Sequence, residues 1–451
     1  MSTSVQSLPI SIPSSPSDSL GIAGHPAGLT TLFFTEFWER FSYYGMRALL
    51  VLYMTAPALN GGLSFPVEKA AQIYGLYTSS VYFTAVAGGL IADRLLGARR
   101  AVFLGGCIIA LGHFVMAVPT LACFFAGMVL ISLGTGLLKP NISALVGKLY
   151  TANDPRRDSG FSIFYIGINL GGMVAPLVCG TIGQRVNWHL GFALAGVGMV
   201  LGLCQFLWHR ERLRDVGMPP IKRPTLVKSE DQAPALTKDE KRRLVSIFVL
   251  FVFSALFWAL FEQTGSSLAL FAQNQTVNQV FGWEFPSSWF QSVNSFFILL
   301  LAPVFSILWA KWGDQQPSSM GKFSFGLFFV GLGYLALIFG MCFSSGKVGP
   351  LWLVGLYFLH TIGELCLSPV GLGTVTRVAP AKMVGLLMGL WFVFTAIGNF
   401  GAGYIATYFN PDKGWASLQL FFGVLAVIAV VGAVLLAVIR PFVQRMTGMK
   451  V

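Results

Sequence analysis

The sequence predicts an all-α integral membrane protein of twelve transmembrane helices in two six-helix bundles. Three observations predict it. Only 11% of the 451 residues are charged and 55% are hydrophobic, whereas a soluble chain carries about 25% charge. Apolar runs long enough to cross a ~30 Å hydrocarbon core recur along the whole chain. A polar segment with four prolines, HRERLRDVGMPPIKRPTLVKSEDQAPALTKDEKRR at 209–243, divides those runs six and six.

Residues 1–28 are rich in Ser, Pro and Gly and carry no Lys or Arg. They read as a disordered cytoplasmic tail, not as a signal peptide, which needs a charged start and an apolar centre. The first bundle, 29–208, takes the runs at 29–55, 70–95, 100–119, 121–146, 161–184 and 188–208. Segment 209–243 reads as a cytoplasmic linker whose last part, LTKDEKRR, suits an amphipathic helix on the membrane surface. The second bundle, 244–440, takes 244–272, 287–311, 323–344, 349–372, 384–408 and 415–440, and 441–451 forms a second cytoplasmic tail.

Charge placement orients the chain. Lys69, Arg185, Lys347 and Lys413 fall on one side, Arg40, Arg47 and Lys139 fall within spans, and the rest of the 30 Lys and Arg fall on the other side. The positive-inside rule makes that second side cytoplasmic and puts both termini there. The net charge of +12 therefore reports topology, and no nucleic-acid partner is expected. The six cysteines lie within the runs without metal-ligand spacing and read as small core residues. No hydrolase or metal motif occurs, so an enzyme is not expected.

The second and third runs are joined by GGLIADRLLGARR at 88–100. Asp93, Arg94 and Gly97 there suit either a positive-inside anchor, with Asp93 capping the next helix, or a gate between the halves. The stretch resembles the loop signature of the major facilitator superfamily, which favours the gate.

The run from 29 to 55 contains charges that lipid rejects. Glu36, Glu39, Arg40, Tyr43, Tyr44 and Arg47 share one helical face by their spacing. An intramembrane charge costs at least ~2.5–3.5 kcal/mol, so this face must line a cavity or a bundle interior. A merely structural ion-pair network needs fewer groups. Further charged or strongly polar groups lie in other runs: Lys139 in GTGLLKPN, Asn169 in FSIFYIGINLGG, Glu262 in FWALFEQTGSS and Glu364 in GELCLSPVGL. Arg47 and Glu262 both lie ~27 Å from the inner surface at ~1.5 Å per residue, and Lys139 and Glu364 also match in depth. Each half thus supplies one member of two opposite-charge pairs, which suits gates between moving halves.

EFWERFSYYGM resembles the ExxERFxYYG motif of the proton-coupled oligopeptide transporters of the major facilitator superfamily. GGLIADRLLGARRAVFLGG and FSIFYIGINLGGM resemble that family's signature stretches. FWALFEQTGSSL, SSWFQSVNSFFI and GELCLSPVGL resemble its seventh, eighth and tenth helices. The likeness runs in consistent order from about residue 28 to 440. It implies that Arg40 and Lys139 bind a peptide carboxylate, and that Glu364 holds the amino terminus with Asn169 and Asn294. It further implies side-chain pockets at Tyr43, Tyr44, Tyr82, Trp258, Trp391 and Ser368. Proton coupling would fall to Glu36, Glu39 and Glu262, with Arg47 and Glu262 as a gating pair. Many bacterial members carry two extra helices between the halves, which 209–243 is too polar to supply.

The implied activity is proton-coupled import of di- and tripeptides by alternating access. No cofactor is implied besides protons as the coupling ion. The chain is expected to be a lipid-embedded monomer of the plasma (bacterial inner) membrane. The residues support the assignment independently: a peptide is a zwitterion and needs a cation and an anion at opposite ends of its site. Each aromatic taken alone is as well explained by bundle packing. The alternatives are transport of another small anionic or peptide-like compound, or a peptide sensor that does not transport.

Overall fold

The computed structural model describes residues 21–151, 153–214, 216–219, 236–344, 346–380 and 383–447. Most of the expected N-terminal tail, the linker from 220 to 235 and the last four residues lie outside the described residues. The first half contains α1 (Ala27–Thr55), α2 (Val67–Ile91), α3 (Ala98–Met116), α4 (Leu121–Lys148), α5 (Arg157–Arg185) and α6 (Trp188–Trp208). The second contains α7 (Lys238–Phe261), the short α8 (Ser267–Asn274), α9 (Phe290–Trp312), α10 (Ser319–Cys342), α11 (Pro350–Val378), α12 (Val384–Ala406) and α13 (Trp415–Thr447). A small hairpin, β1 (Gln279–Val280) with β2 (Trp283–Glu284), joins α8 to α9.

Among the described residues, 11 spans are long and apolar enough to cross a membrane. The twelfth is α1, which has the length, 29 residues, but carries the four charges singled out above. α7 and α8 count as one span, interrupted by a 3₁₀ turn at Glu262–Gly265.

Side-chain caps start several helices. Thr120 caps α4, Asn187 caps α6 and Ser318 caps α10. Thr237 and Glu240 form a reciprocal capping box at the head of α7, which satisfies two backbone donors at once. That box corrects the linker boundary: LTKDEKRR feeds directly into the transmembrane helix instead of lying on the membrane surface. At the other end α13 runs to Thr447, past the expected limit at 440. Hydropathy marks where hydrocarbon ends, not where a helix ends; Arg440 and Arg445 extend it into the headgroups.

We call outer the end bearing Lys69, Arg185, Lys347 and Lys413. Within the first half α1 packs on α5 and α6, and α3 on α4 and α6; within the second, α10 packs on α11 and α13, and α7 on α12. Across the halves α2 meets α12 and α5 meets α9. The apolar core reports how far this joining extends. One cluster runs through the second half and continues into the outer half of the first, through Tyr53, Phe124, Met128 and Phe192. The inner half of the first bundle has its own cluster, with Leu32, Val102, Leu145 and Phe206. The halves share a core at their outer ends and keep separate cores at their inner ends.

Gly75 and Gly403 let α2 and α12 touch backbone to backbone: a Cβ on Gly403 would lie 2.4 Å from the Gly75 Cα. The hydroxyl of Ser79 donates to the Ala396 carbonyl at 2.9 Å beside them. On the inner surface the segment before α1 is pinned to the α4–α5 connection. Buried His25 hydrogen-bonds with the Tyr150 hydroxyl at 2.8 Å, and Arg156 donates to the Gly24 carbonyl at 3.2 Å. Hydrogen bonds from Arg156 hold the Asp154 carboxyl below its ordinary value.

Candidate functional site

Between the halves lies a cavity of about 270 Å³. Six elements of the chain carry its charged and amide groups. α1 supplies Glu36, Arg40 and Arg47; α4 supplies Lys139; α5 supplies Asn169; the broken seventh span supplies Glu262; α9 supplies Asn294; α11 supplies Glu364. Tyr43, Tyr44, Tyr82, Trp258, Trp391 and Ser368 complete the expected set on its walls.

Glu39 is the exception. It is fully buried but stands outside the lining, behind Arg40, with which it forms an ion pair. Three residues turn an α-helix by ~300°, which leaves Glu39 ~60° to one side of Glu36. The expected single face is therefore a stripe with one carboxylate at its edge. Arg40 is held from both sides, since its Nε also lies 2.9 Å from Glu36.

Arg47 joins the halves. Its guanidinium forms an ion pair with Glu262, its Nε donates to the Tyr74 hydroxyl at 2.7 Å, and its Nη2 donates to the Thr264 hydroxyl at 3.4 Å. The break in the seventh span makes this possible. The 3₁₀ turn starts at Glu262, and Gly265 leaves room that any side chain would fill: its Cβ would fall 1.8 Å from the Tyr74 hydroxyl oxygen.

Lys139 and Glu364, matched in depth, are not paired in this conformation. The Lys139 ammonium stands 3.9 Å from the Tyr82 ring centroid. Glu364 accepts from the Asn294 amide at 3.0 Å, and the same amide donates to Thr361 at 3.1 Å. Both residues line the cavity, one from each half. Asn169 directs its amide to the Tyr165 carbonyl one turn back, at 3.0 Å.

Above the cavity the outer rim is bonded shut. Gln184 of α5 donates to Gln273 at 2.8 Å and to Ser287 at 3.0 Å, and accepts from the Ser288 amide at 3.0 Å. The Trp289 indole donates to Thr181 at 2.8 Å, and Arg185 donates to the Glu284 carbonyl. The site is bonded closed at its outer end, while toward its inner end the apolar cores of the halves are separate.

Asp93, Arg94 and Gly97 lie away from the cavity, on the inner surface. Asp93 and Arg94 are exposed in a single π turn, Ala92–Leu96. Asp93 caps nothing: the residue before α3 is Gly97, at φ 74° without a side-chain cap. Tyr74, Tyr165 and Tyr357 belong to the site by contact or lining and escaped the sequence reading. Their signal was their register: Tyr74 lies about two turns before Tyr82, Tyr165 one turn before Asn169 and Tyr357 two turns before Glu364. Among the described residues no cluster of His, Cys, Asp and Glu is arranged to hold a metal, and all six cysteines are unpaired.

Two helical halves that enclose a charged cavity across the membrane, sealed at one end, define a membrane transporter. The family model described as "PTR2: POT family" matches residues 99–225 and 221–420, and the chain belongs to this family. It is 41% identical over 476 residues to the transporter YclF of Bacillus subtilis (strain 168), covering 94% of this chain and 96% of that one. It is 37% identical over 486 residues to a di-/tripeptide transporter of Lactococcus lactis subsp. cremoris, covering 94% and 97%. Among solved structures, a peptide transporter POT in complex with alafosfalin superposes with a TM-score of 0.88 at 40% identity, over 95% of this chain and 97% of that one. The fold is the major facilitator fold.

Proposed function

We propose that the chain is a proton-coupled symporter that imports di- and tripeptides by alternating access. One observation carries this reading: a single cavity presents Arg40 and Lys139 in its first half and Glu364 with Asn294 in its second. Fixed opposite charges suit a zwitterion with a variable middle. Arg40 and Lys139 receive the peptide carboxylate. Glu364, oriented by Asn294 and assisted by Asn169, receives the amino terminus. Tyr43, Tyr44, Tyr82, Trp258, Trp391 and Ser368 surround the side chains, and aromatic walls accept varied shapes.

Coupling follows from the pair that crosses the halves. When the outer ends separate, Glu262 loses Arg47, and an ionised carboxylate stripped of its partner in a buried site is costly. A proton taken from the outer medium removes that cost and delays re-pairing until it leaves inward. Glu36 and Glu39, which both pair with Arg40, give the proton further stations. The protein works as a monomer in the plasma (inner) membrane, with both termini in the cytoplasm and no cofactor besides the proton.

The test is uptake of a labelled dipeptide into proteoliposomes under an inward proton gradient. Accumulation abolished by a protonophore and competed by di- and tripeptides supports the proposal. Binding without accumulation makes the chain a sensor, and competition by a non-peptide anion alone reassigns the substrate.

A further inference from the structure

Two clefts occupy corresponding places at the inner ends of the halves, and the chain itself fills one of them. In the first half, the turn between its second and third spans faces the end of α4. Residues after α6 lie in that gap. Arg99 binds the carbonyls of Arg214 at 2.8 Å and Gly217 at 3.0 Å through its side chain and its amide. The fit is tight: a Cβ on Gly97 would fall 2.6 Å from the Pro219 nitrogen, and one on Gly217 would fall 2.2 Å from Leu145 of α4.

The second half repeats the arrangement, with the turn between α9 and α10 facing the end of α11. There the gap is a cavity of about 600 Å³, separate from the site between the halves. Its polar walls are Lys322, Arg377, Asp314, Ser318, Ser319 and Thr374. Lys322 is only 7% exposed; its ammonium donates to the Gln316 side chain at 2.7 Å and lies 4.2 Å from the Trp309 ring centroid. The hydroxyls of Ser319 and Thr374 are 2.7 Å apart. α10, 24 residues long, begins at this cavity, so its positive dipole end lies there, although Ser318 already takes the Gly321 amide. Two cations face one carboxylate, and Arg440 adds a third cation close behind, 3.2 Å from where a Gly321 Cβ would stand.

We propose that this cavity binds a phosphate group, borne by an anionic phospholipid headgroup or free in the cytoplasm. Two cations beside a helix start offer an anion with several oxygens more donors than a single cation does. The position suits either source. The inner leaflet is anionic, and basic pockets between helices on that side receive such headgroups. α9 also presents Phe296, Leu300, Val304 and Ile307, all exposed and each about one turn from the next, as an apolar stripe leading down to the cavity for an acyl chain to follow.

The test measures thermal stability of the purified full chain in detergent against inorganic phosphate, short-chain phosphatidylglycerol and short-chain phosphatidylcholine. A saturable rise with phosphatidylglycerol alone supports the site and assigns it to lipid. A saturable rise with inorganic phosphate as well supports it and assigns it to the free anion. Arg377→Gln and Lys322→Gln are expected to weaken the apparent affinity at least tenfold, and Arg445→Gln, a surface cation outside the cavity, to leave it unchanged. If Lys322→Gln does not fold, Arg377→Gln decides alone. No saturable rise with phosphate or phosphatidylglycerol, an equal rise with phosphatidylcholine, or equal weakening by Arg445→Gln overturns the proposal.

Discussion

The two opposite-charge pairs matched in depth have opposite fates in this conformation. At the outer level Arg47 holds Glu262, Tyr74 and Thr264 at once. At the inner level Lys139 rests on the face of Tyr82 and Glu364 on the amide of Asn294. The outer pair is part of a seal that includes a shared apolar core and the bonds around Gln184; the inner residues have only neutral partners. A cation on an aromatic face is worth ~0.5–2 kcal/mol, and such a contact is readily exchanged for a carboxylate. Arg40 differs from both, because its acids come from its own helix and move with it. Under the proposed function, the charge that holds the gate is tied across the halves, while Lys139 and Glu364 rest on neutral partners that substrate can replace.

The strongest way to break this contrast is at the outer pair. Glu262→Gln fixes the neutral form, so gradient-driven accumulation of dipeptide should be lost while peptide-for-peptide exchange persists. Both are read in the same proteoliposomes; normal accumulation would move coupling to Glu36 or Glu39. Next in size is the inner pair. Lys139→Glu and Glu364→Lys each set a charge of the wrong sign against a neutral partner at membrane depth and should each lower stability by ~2.5–3.5 kcal/mol. The double reversal should recover part of that loss if the two meet when the inner ends close. A double mutant melting no higher than the worse single one would show that depth alone matched them.

Arg40→Lys probes the charge that stays within its own half. A planar fork that binds a carboxylate through two bonds is not replaced by an ammonium, and losing one charge-assisted bond costs ~1.5–3 kcal/mol. Dipeptide affinity should fall about ten- to a hundredfold, and wild-type affinity would remove Arg40 from the carboxylate site. The smallest effect belongs to Tyr74→Phe, which deletes one bond to Arg47 and leaves the ion pair. A loss of ~1 kcal/mol in thermal stability is expected; a loss as large as that of Arg47→Ala would make the tyrosine the main partner.

Much of this was legible in the chain. Apolar runs located the spans because a bilayer imposes length, and charges inside those runs located the cavity because lipid imposes a cost. What escaped has a common cause: these signals are one-dimensional. Depth is one coordinate of three, so it matched Lys139 to Glu364 without revealing that they are not paired in this conformation. Hydropathy registers no hydrogen-bond geometry, so the turn at Glu262–Gly265 passed as continuous helix. Helical spacing grouped Glu39 with its neighbours but left out the angle that turns it behind Arg40. Tyr74 was one aromatic among many until its hydroxyl met a guanidinium.

The contact of Gly75 with Gly403 has a mechanical consequence. Two backbones that touch without side chains present smooth surfaces, and smooth surfaces can roll where interlocked ones must disengage. The contact is also off centre. On α2 it leaves about 12 Å of helix toward the outer end and about 24 Å toward the inner end, at 1.5 Å per residue. Rotation about this bearing sweeps the inner end through about twice the arc of the outer one. A small displacement at the outer end thus becomes a larger one at the inner end.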